Sequence, residues 1–208
     1  MLTAASVTVA DAVVAFPVAF YMAKVASKRA RNVIAVSILL PLWASYLVKV
    51  YAWRNMLGAS GFLQWAFGPL GWDGPGFGLT ATWLLLSYLW LPYMVLPIYA
   101  GLERVPDTLV EASSDLGGRS WVTFRKVILP LAWPAVVAGS VFTFSLSLGD
   151  SIAVSLVGAK TQFLGNVVYL DVTNAGLLPL GAALSLVPVV IMVGYLLAAR
   201  RSGAFEAI

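Results

Sequence analysis

The chain has 208 residues, 61% hydrophobic and 11% charged, with a formal net charge of +4 and a mean hydropathy of +0.90. So small a charged fraction cannot cover a water-soluble domain, so lipid is the expected solvent for most of the chain. Cysteine and histidine are both absent, which excludes disulfides and thiolate metal sites, removes the commonest general base, and leaves no expectation of catalysis, a resident metal or a cofactor.

A helix needs about 20 apolar residues to cross a hydrocarbon core. In chain order the stretches that qualify are 3–23, 33–53, 80–101, 134–157 and 180–199, about five spans in a single membrane domain covering 1–208. The first carries Asp11 as its only charge and ends at Lys24. No basic region precedes it and no small-residue cleavage site follows, so it reads as a span rather than a signal peptide.

The connections alternate in charge. Lys24, Lys28, Arg29 and Arg31 fill the first, Arg104, Arg119, Arg125 and Lys126 the third, and Arg200 and Arg201 the tail, together 10 of the 13 basic residues. The second and fourth hold only Arg54 and Lys160, with Lys49 near the outer end of the second span. This alternation predicts an outside N-terminus, with the first connection, the third connection and the tail in the cytoplasm. The basic excess is a topology signal, and nucleic acid is not expected as a partner. Lys49 and Arg54 are expected to snorkel to the outer interface, beside Tyr51 and Trp53 in the aromatic belt. Pro41, Pro92, Pro97 and Pro188 interrupt spans, either as the broken helices that transporters use or as tolerated bends. The outer stretch Gly68–Gly78, with five Gly and two Pro, predicts ordered turns.

The third connection, 103–133, is the most polar part of the chain. Pro106, Asp107 and Thr108 signal a helix start, and Thr108 with Glu111 fits a capping box. Leu109, Ala112 and Leu116 recur at helical spacing on one face. Gly117 and Gly118 stop this helix. A second is expected from Ser120 to Ile128, with Pro130 and Pro134 turning the chain back into the membrane. These residues leave two readings open: a well-capped surface loop, or a protruding element that docks into a partner's groove.

The sequence Glu111-Ala112-Ser113, three residues, Gly117, nine residues, Val127, one residue, Leu129-Pro130 resembles the signature of binding-protein-dependent ABC importer permeases. That pattern is Glu-Ala-Ala, three residues, Gly, nine residues, Ile, one residue, Leu-Pro. Every spacing is kept, with Ser113 in place of the second Ala and Val127 in place of Ile. The resemblance implies an all-α, polytopic permease core of the type I importer fold, with a coupling helix that fits a cleft on an ATPase subunit. Glu111 would be its polar contact and Gly117 the corner between two short helices.

Further similarities point to the spermidine/putrescine branch: Leu40-Pro41-Leu42-Trp43, Lys49-Val50-Tyr51-Ala52-Trp53, Leu91-Pro92-Tyr93-Met94-Val95-Leu96-Pro97, Ser147-Leu148-Gly149-Asp150, Gly165-Asn166 and Pro179-Leu180-Gly181-Ala182-Ala183. The implied partners are a dimer of ATP-binding subunits, a second and paralogous permease, an extracytoplasmic solute-binding protein and membrane lipid. The implied location is a bacterial inner membrane, and the implied cargo a polyamine carried by alternating access. Family members usually have six spans, and this chain opens on what resembles their second. The alternatives are a permease for another small solute, such as iron or an opine-like compound, or a truncated membrane scaffold that does not transport. A channel or proton-coupled carrier would leave the loop signature unexplained.

Inside the fourth span, Ser140, Thr143, Ser147 and Asp150 follow one another at spacings that place them on one helical face. A carboxylate in hydrocarbon is costly enough to require a cavity or a partner helix. Asp150 therefore reads either as an interhelical hydrogen-bonding group near the outer boundary or as a pathway group for a cationic solute. The hydroxyls also suit close helix packing. Asp11 is a second pathway candidate, or an anchor for the start of the chain. No phosphate-binding Gly-x-x-x-x-Gly-Lys-Ser/Thr loop is present, and Gly158-Ala159-Lys160-Thr161 has the wrong spacing. ATP hydrolysis is therefore expected in a separate subunit.

Overall fold

The computed structural model describes residues 1–58, 60–70, 74–159, 161–173 and 178–200. The expectations for Lys160 and Arg201, and for residues 71–73 of the outer stretch, lie outside these. Every regular element among the described residues is helical. Helix α1 (Leu2–Phe20) runs on through a π-helical turn, Tyr21–Val25, for 24 residues in all, about 36 Å. Helix α2 (Lys28–Trp43) begins after Ser27, whose Oγ accepts from the Ala30 N–H at 3.3 Å and caps it.

The expected second span is broken. Ala44 is extended and Ser45 is non-helical, and α3 (Tyr46–Leu57) leaves in a new direction, so that Lys28–Trp43 and Tyr46–Phe67 are bent by 97°. Pro41 lies three residues before the break and has no N–H to donate to the Ser37 carbonyl, which weakens the end of α2. Helix α4 (Phe62–Phe67) follows, and then α5 (Leu79–Glu103), an unbroken apolar rod.

The polar connection carries α6 (Asp107–Asp115) and α7 (Ser120–Thr123). Here the structure departs from the expectation that Pro130 and Pro134 turn the chain. Helix α7, a π-helical turn at Phe124–Ile128, and α8 (Leu129–Gly149) form one rod of 30 residues. Pro130 lies just after the π-helical turn, where the hydrogen-bond register has already shifted, and its missing N–H does not interrupt the rod. A 30-residue rod is about 45 Å long and a hydrocarbon core about 30 Å thick, so the rod is longer than an untilted crossing needs. The fourth span correspondingly ends early. It stops at Gly149 rather than at residue 157, with α9 (Ile152–Val157) as a separate short helix. Helix α10 (Leu164–Thr173), which no sequence signal announced, and α11 (Leu178–Arg200) complete the chain.

Among the described residues, Leu2–Val25, Leu79–Glu103, Ser120–Gly149 and Leu178–Arg200 are each long and apolar enough to cross a membrane, and the bent pair adds a fifth span if it counts as one. The core is α1, α5 and α8. Helices α1 and α5 run parallel: the Trp83 Nε1–H donates to Ser6 Oγ at 3.1 Å near one end, and Lys24 Nζ donates to Val105 O at 2.7 Å near the other. Helix α8 lies antiparallel on α5 through two glycines. A Cβ at Gly101 would lie 2.3 Å from the Ala135 Cβ, and one at Gly139 would lie 3.0–3.2 Å from Met94 atoms. Small residues let the helix backbones approach closely, where dispersion and weak polar contacts replace the hydrophobic drive that lipid cannot supply. Ala15, Ala19, Met22, Met94, Ile98 and Leu102 fill one buried cluster, and Val7, Val50, Leu85, Leu86, Leu89 and Val157 another. Helix α2 has no buried residue, and the apolar window of α11 is only 6% buried.

Candidate functional site

The Glu111–Pro130 signature lies where a helix, a glycine corner and the foot of a long rod meet. Helix α6 has no buried residue. Its expected apolar face, Leu109, Ala112 and Leu116, is open, with Leu116 90% exposed, and Trp121 across the corner is 68% exposed. Glu111 is exposed beside them. The capping box does not form. The helix starts one residue earlier than Thr108, with Pro106 at the cap position and no side-chain cap bond.

Gly117 has φ +78°, the left-handed conformation that glycine adopts without penalty, and this turns the chain from α6 into α7. The corner is then closed by polar contacts. The Gly118 N–H donates to Ser113 O at 2.8 Å, and the Ser113 and Thr123 hydroxyls are hydrogen-bonded at 2.8 Å. Ser113, the departure from the family's Ala, thus ties α6 to α7. Ala112 lies on α6, and Val127, Leu129 and Pro130 lie along the foot of the rod.

Two attachments that sequence reasoning missed hold this corner to α1. Lys24 Nζ donates to Val105 O at 2.7 Å and to Asp107 Oδ1 at 2.6 Å, joining the π-helical turn after α1 to the first residue of α6. Phe124 packs edge-on against Phe16 and Phe20 of α1, at 5.6 and 6.3 Å, and stacks on Trp121 at 5.4 Å. In the sequence, Lys24 counted only toward topology and the phenylalanines only toward hydropathy. Beside them Arg31 pairs with Glu103 at 3.2 Å, and the Tyr99 hydroxyl donates to the same carboxylate.

Replacing Lys24 by Met keeps its apolar stem but removes both bonds. Because Asp107 is 79% exposed, solvent screening leaves an expected loss of about 1 kcal/mol. Amide exchange over residues 107–112 should become several-fold faster while that of α5 stays unchanged. Native-rate exchange at the start of α6 in the variant would show that the lysine does not hold it.

The second constellation is at the break after α8. Asp150 is 7% exposed and takes an extended conformation, which swings it off the helical stripe expected with Ser140, Thr143 and Ser147. Its carboxylate accepts from the Tyr46 hydroxyl, at 2.6 and 2.7 Å to the two oxygens, and from the Ala153 N–H at 2.9 Å. It therefore accepts an N–H from the first turn of α9 and bonds the first residue of α3, joining the two span breaks. Tyr46 is stacked on Trp90 of α5, with ring centroids 6.1 Å apart and planes 17° apart. Tyr46, Trp90, Ser145, Leu146, Gly149, Asp150, Ser151 and Ile152 line a cavity of about 320 Å³.

The other hydroxyls go elsewhere. Ser140 bonds the Tyr195 hydroxyl of α11 at 2.6 Å and lines an apolar groove of about 680 Å³ between α1, α8 and α11. Thr143 and Ser147 are wholly buried, and their hydroxyl oxygens have no hydrogen-bond partner among the described residues. Asp11 is also buried, with its carboxylate toward Ser87 of α5 and one oxygen unpartnered among the described residues. At the α3 end, Lys49 is half-buried and Arg54 exposed, and Trp53 packs on Tyr88 of α5 at 5.3 Å rather than standing free in a belt. Among the described residues no group of three or more acidic side chains could hold a metal ion.

Comparison with known proteins agrees with this architecture. Residues 15–203 match the family described as "Binding-protein-dependent transport system inner membrane component". The chain is 44% identical to the inner membrane ABC transporter permease protein YdcU of Escherichia coli (strain K12), over 99% of this chain and 70% of that protein. It is 32% identical to the spermidine/putrescine transport system permease protein PotB of the same organism, over 89% of this chain and 69% of that one. In the crystal structure of a bacterial alginate ABC transporter in complex with its pentasaccharide-bound periplasmic protein, one chain superposes with a TM-score of 0.77. The identity is 15%, over 100% of this chain and 78% of that one. A chain of the inward-facing MetNI methionine ABC transporter gives 0.68 at 18% identity, over 100% of this chain and 94% of that one. The chain is a member of the binding-protein-dependent transport system inner membrane component family, a multi-pass ABC importer permease subunit with the type I fold.

Proposed function

We propose that this chain forms one half of the translocation pathway of a polyamine importer, with its N-terminus outside and α6 in the cytoplasm. A second, paralogous permease supplies the other half, two ATP-binding subunits grip the α6 corners, and an extracytoplasmic binding protein delivers the solute. Nucleotide-driven closure pushes the corners together, and the attachments of Lys24 and Phe124 pass that movement to α1. The cavity then changes its side of access, and hydrolysis resets it. A relative at 32% identity is a spermidine/putrescine transport system permease protein, and the charge alternation of the connections supports the orientation.

The observation that carries this reading is the exposed apolar face of α6 beside Glu111, on a corner anchored to α1. An apolar face beside a carboxylate suits a helix-in-groove contact with a basic rim. In liposomes holding the assembled complex, polyamine-loaded binding protein is expected to stimulate ATP hydrolysis. Glu111→Ala is expected to reduce that stimulation at least tenfold, an effect of about 1.4 kcal/mol, without lowering the amount of permease in the membrane. Full stimulation in the variant would reject the coupling role.

A further inference from the structure

Asp150, Tyr46 and Trp90 meet at a place with three features that helix packing alone does not require. The carboxylate is nine-tenths buried, and its hydrogen-bond partners, a phenol and a backbone amide, are both neutral. Such a charge is costly in a low-dielectric setting unless a cation completes it. Two aromatic rings, Tyr46 and Trp90, line the same cavity, and Tyr93 lies against Trp90 with centroids 5.8 Å apart. Aromatic faces attract organic cations and replace part of their lost hydration. The cavity, at about 320 Å³, sits at the small end of ligand pockets. It lies beside the middle of the 25-residue α5 and between two broken spans, where discontinuous helices offer backbone groups to a solute.

We propose that Asp150, Tyr46 and Trp90 form a subsite for one primary ammonium group and the first few methylenes of its chain. The inference rests on the importer reading for its place in a transport cycle, while the ligand class comes from the cavity itself. The carboxylate has about four lone-pair positions. The Tyr46 hydroxyl and the Ala153 amide use part of them, and the ammonium takes a remaining one as a charge-assisted bond. The rings flank the adjoining methylenes. Since Tyr46 opens α3 and Asp150 ends the α8 rod, an ammonium that competes for the carboxylate also loosens the bond joining the two breaks.

The test uses the assembled complex in nanodiscs, without binding protein, and equilibrium dialysis of radiolabelled n-butylammonium against it, with n-butanol as the neutral probe. Saturable binding of the amine that excess n-butanol does not displace is expected. Asp150→Asn is chosen because the amide oxygen can still accept from Tyr46 and Ala153 while the charge is lost; it should weaken binding at least tenfold. Trp90→Leu should weaken it several-fold, and Trp90→Phe less. If Asp150→Asn does not assemble, the Leu and Phe variants at Trp90 decide: equal affinity in both, matching the native complex, overturns the subsite. No saturable amine binding, or native affinity in Asp150→Asn, also overturns it.

Polyamine uptake by the same complex, with binding protein and ATP, separates the two proposals. Uptake together with native amine affinity in Asp150→Asn rejects the subsite and keeps the importer reading. Amine binding that needs Asp150, without uptake of any polyamine, keeps the subsite and rejects the polyamine reading.

Discussion

Replacing Gly101 by leucine is expected to prevent or severely weaken packing of the three-helix core. The Cβ alone would stand 2.3 Å from the Ala135 Cβ, a distance that side chains do not reach, and three further carbons would follow it. Helices α5 and α8 are both long, and both are held on α1, so neither can move aside without opening the buried clusters of Met94, Ile98 and Leu102 on one side and Leu85 and Leu89 on the other. Overpacking of a filled core costs about 1–3 kcal/mol and more when the backbone must shift. For a chain of this length, about 3 kcal/mol corresponds to roughly 10 °C in the melting midpoint. Thermal unfolding of the purified permease checks this. Gly194→Leu is the matched control, because a Cβ there meets nothing within 4 Å, and its midpoint should stay near native. Similar midpoints for the two variants would mean that the α5–α8 approach is not limiting.

The second large effect is expected at Gly117. No atom lies within 4 Å of a Cβ placed there, so a side chain has room. The obstacle is the backbone, whose φ of +78° costs an L-residue about 1–2 kcal/mol and a β-branched one more. Gly117→Val should push the chain out of this conformation, break the Ser113–Thr123 and Ser113–Gly118 contacts that depend on it, and misplace the exposed face of α6. Gly117→Asn should retain the corner, because asparagine tolerates the left-handed region. The expected readout is loss of ATP-binding-subunit co-purification with the Val variant and near-native recovery with Asn. If Val behaves like glycine, the corner's geometry is not what the partner reads. If Asn fails as badly as Val, the site excludes a side chain for a reason other than backbone strain.

Much of the architecture was legible in the order of residues, for physical reasons that are local. Apolar runs of about 20 residues separated by basic clusters identify membrane helices, because an unpaired backbone or charge in hydrocarbon is too costly for other solutions. The pair of glycines after Leu116 marked a helix stop, and the Glu111–Pro130 spacing pointed to the family through residues whose roles are local as well. The boundaries were less legible. Pro130 and Pro134 suggested a turn that does not exist: both lie within one continuous 30-residue rod, whose hydrogen-bond register shifts at the π-helical turn Phe124–Ile128 just ahead of Pro130.

Only the packed molecule decided which polar groups belong together. Spacing put Ser140, Thr143, Ser147 and Asp150 on one face, an inference valid only while the helix continues. It ends at Gly149. Beyond that point Asp150 answers to Tyr46, 104 residues away, and Ser140 to Tyr195, 55 residues away. The bond from Lys24 to Asp107 spans 83 residues. Helical periodicity reaches only a few residues along the chain, so partners this distant are chosen by which helix backbones can approach closely. In this molecule Gly101 and Gly139 set that approach, and the tertiary fold alone brings the cavity of Tyr46, Trp90 and Asp150 into being.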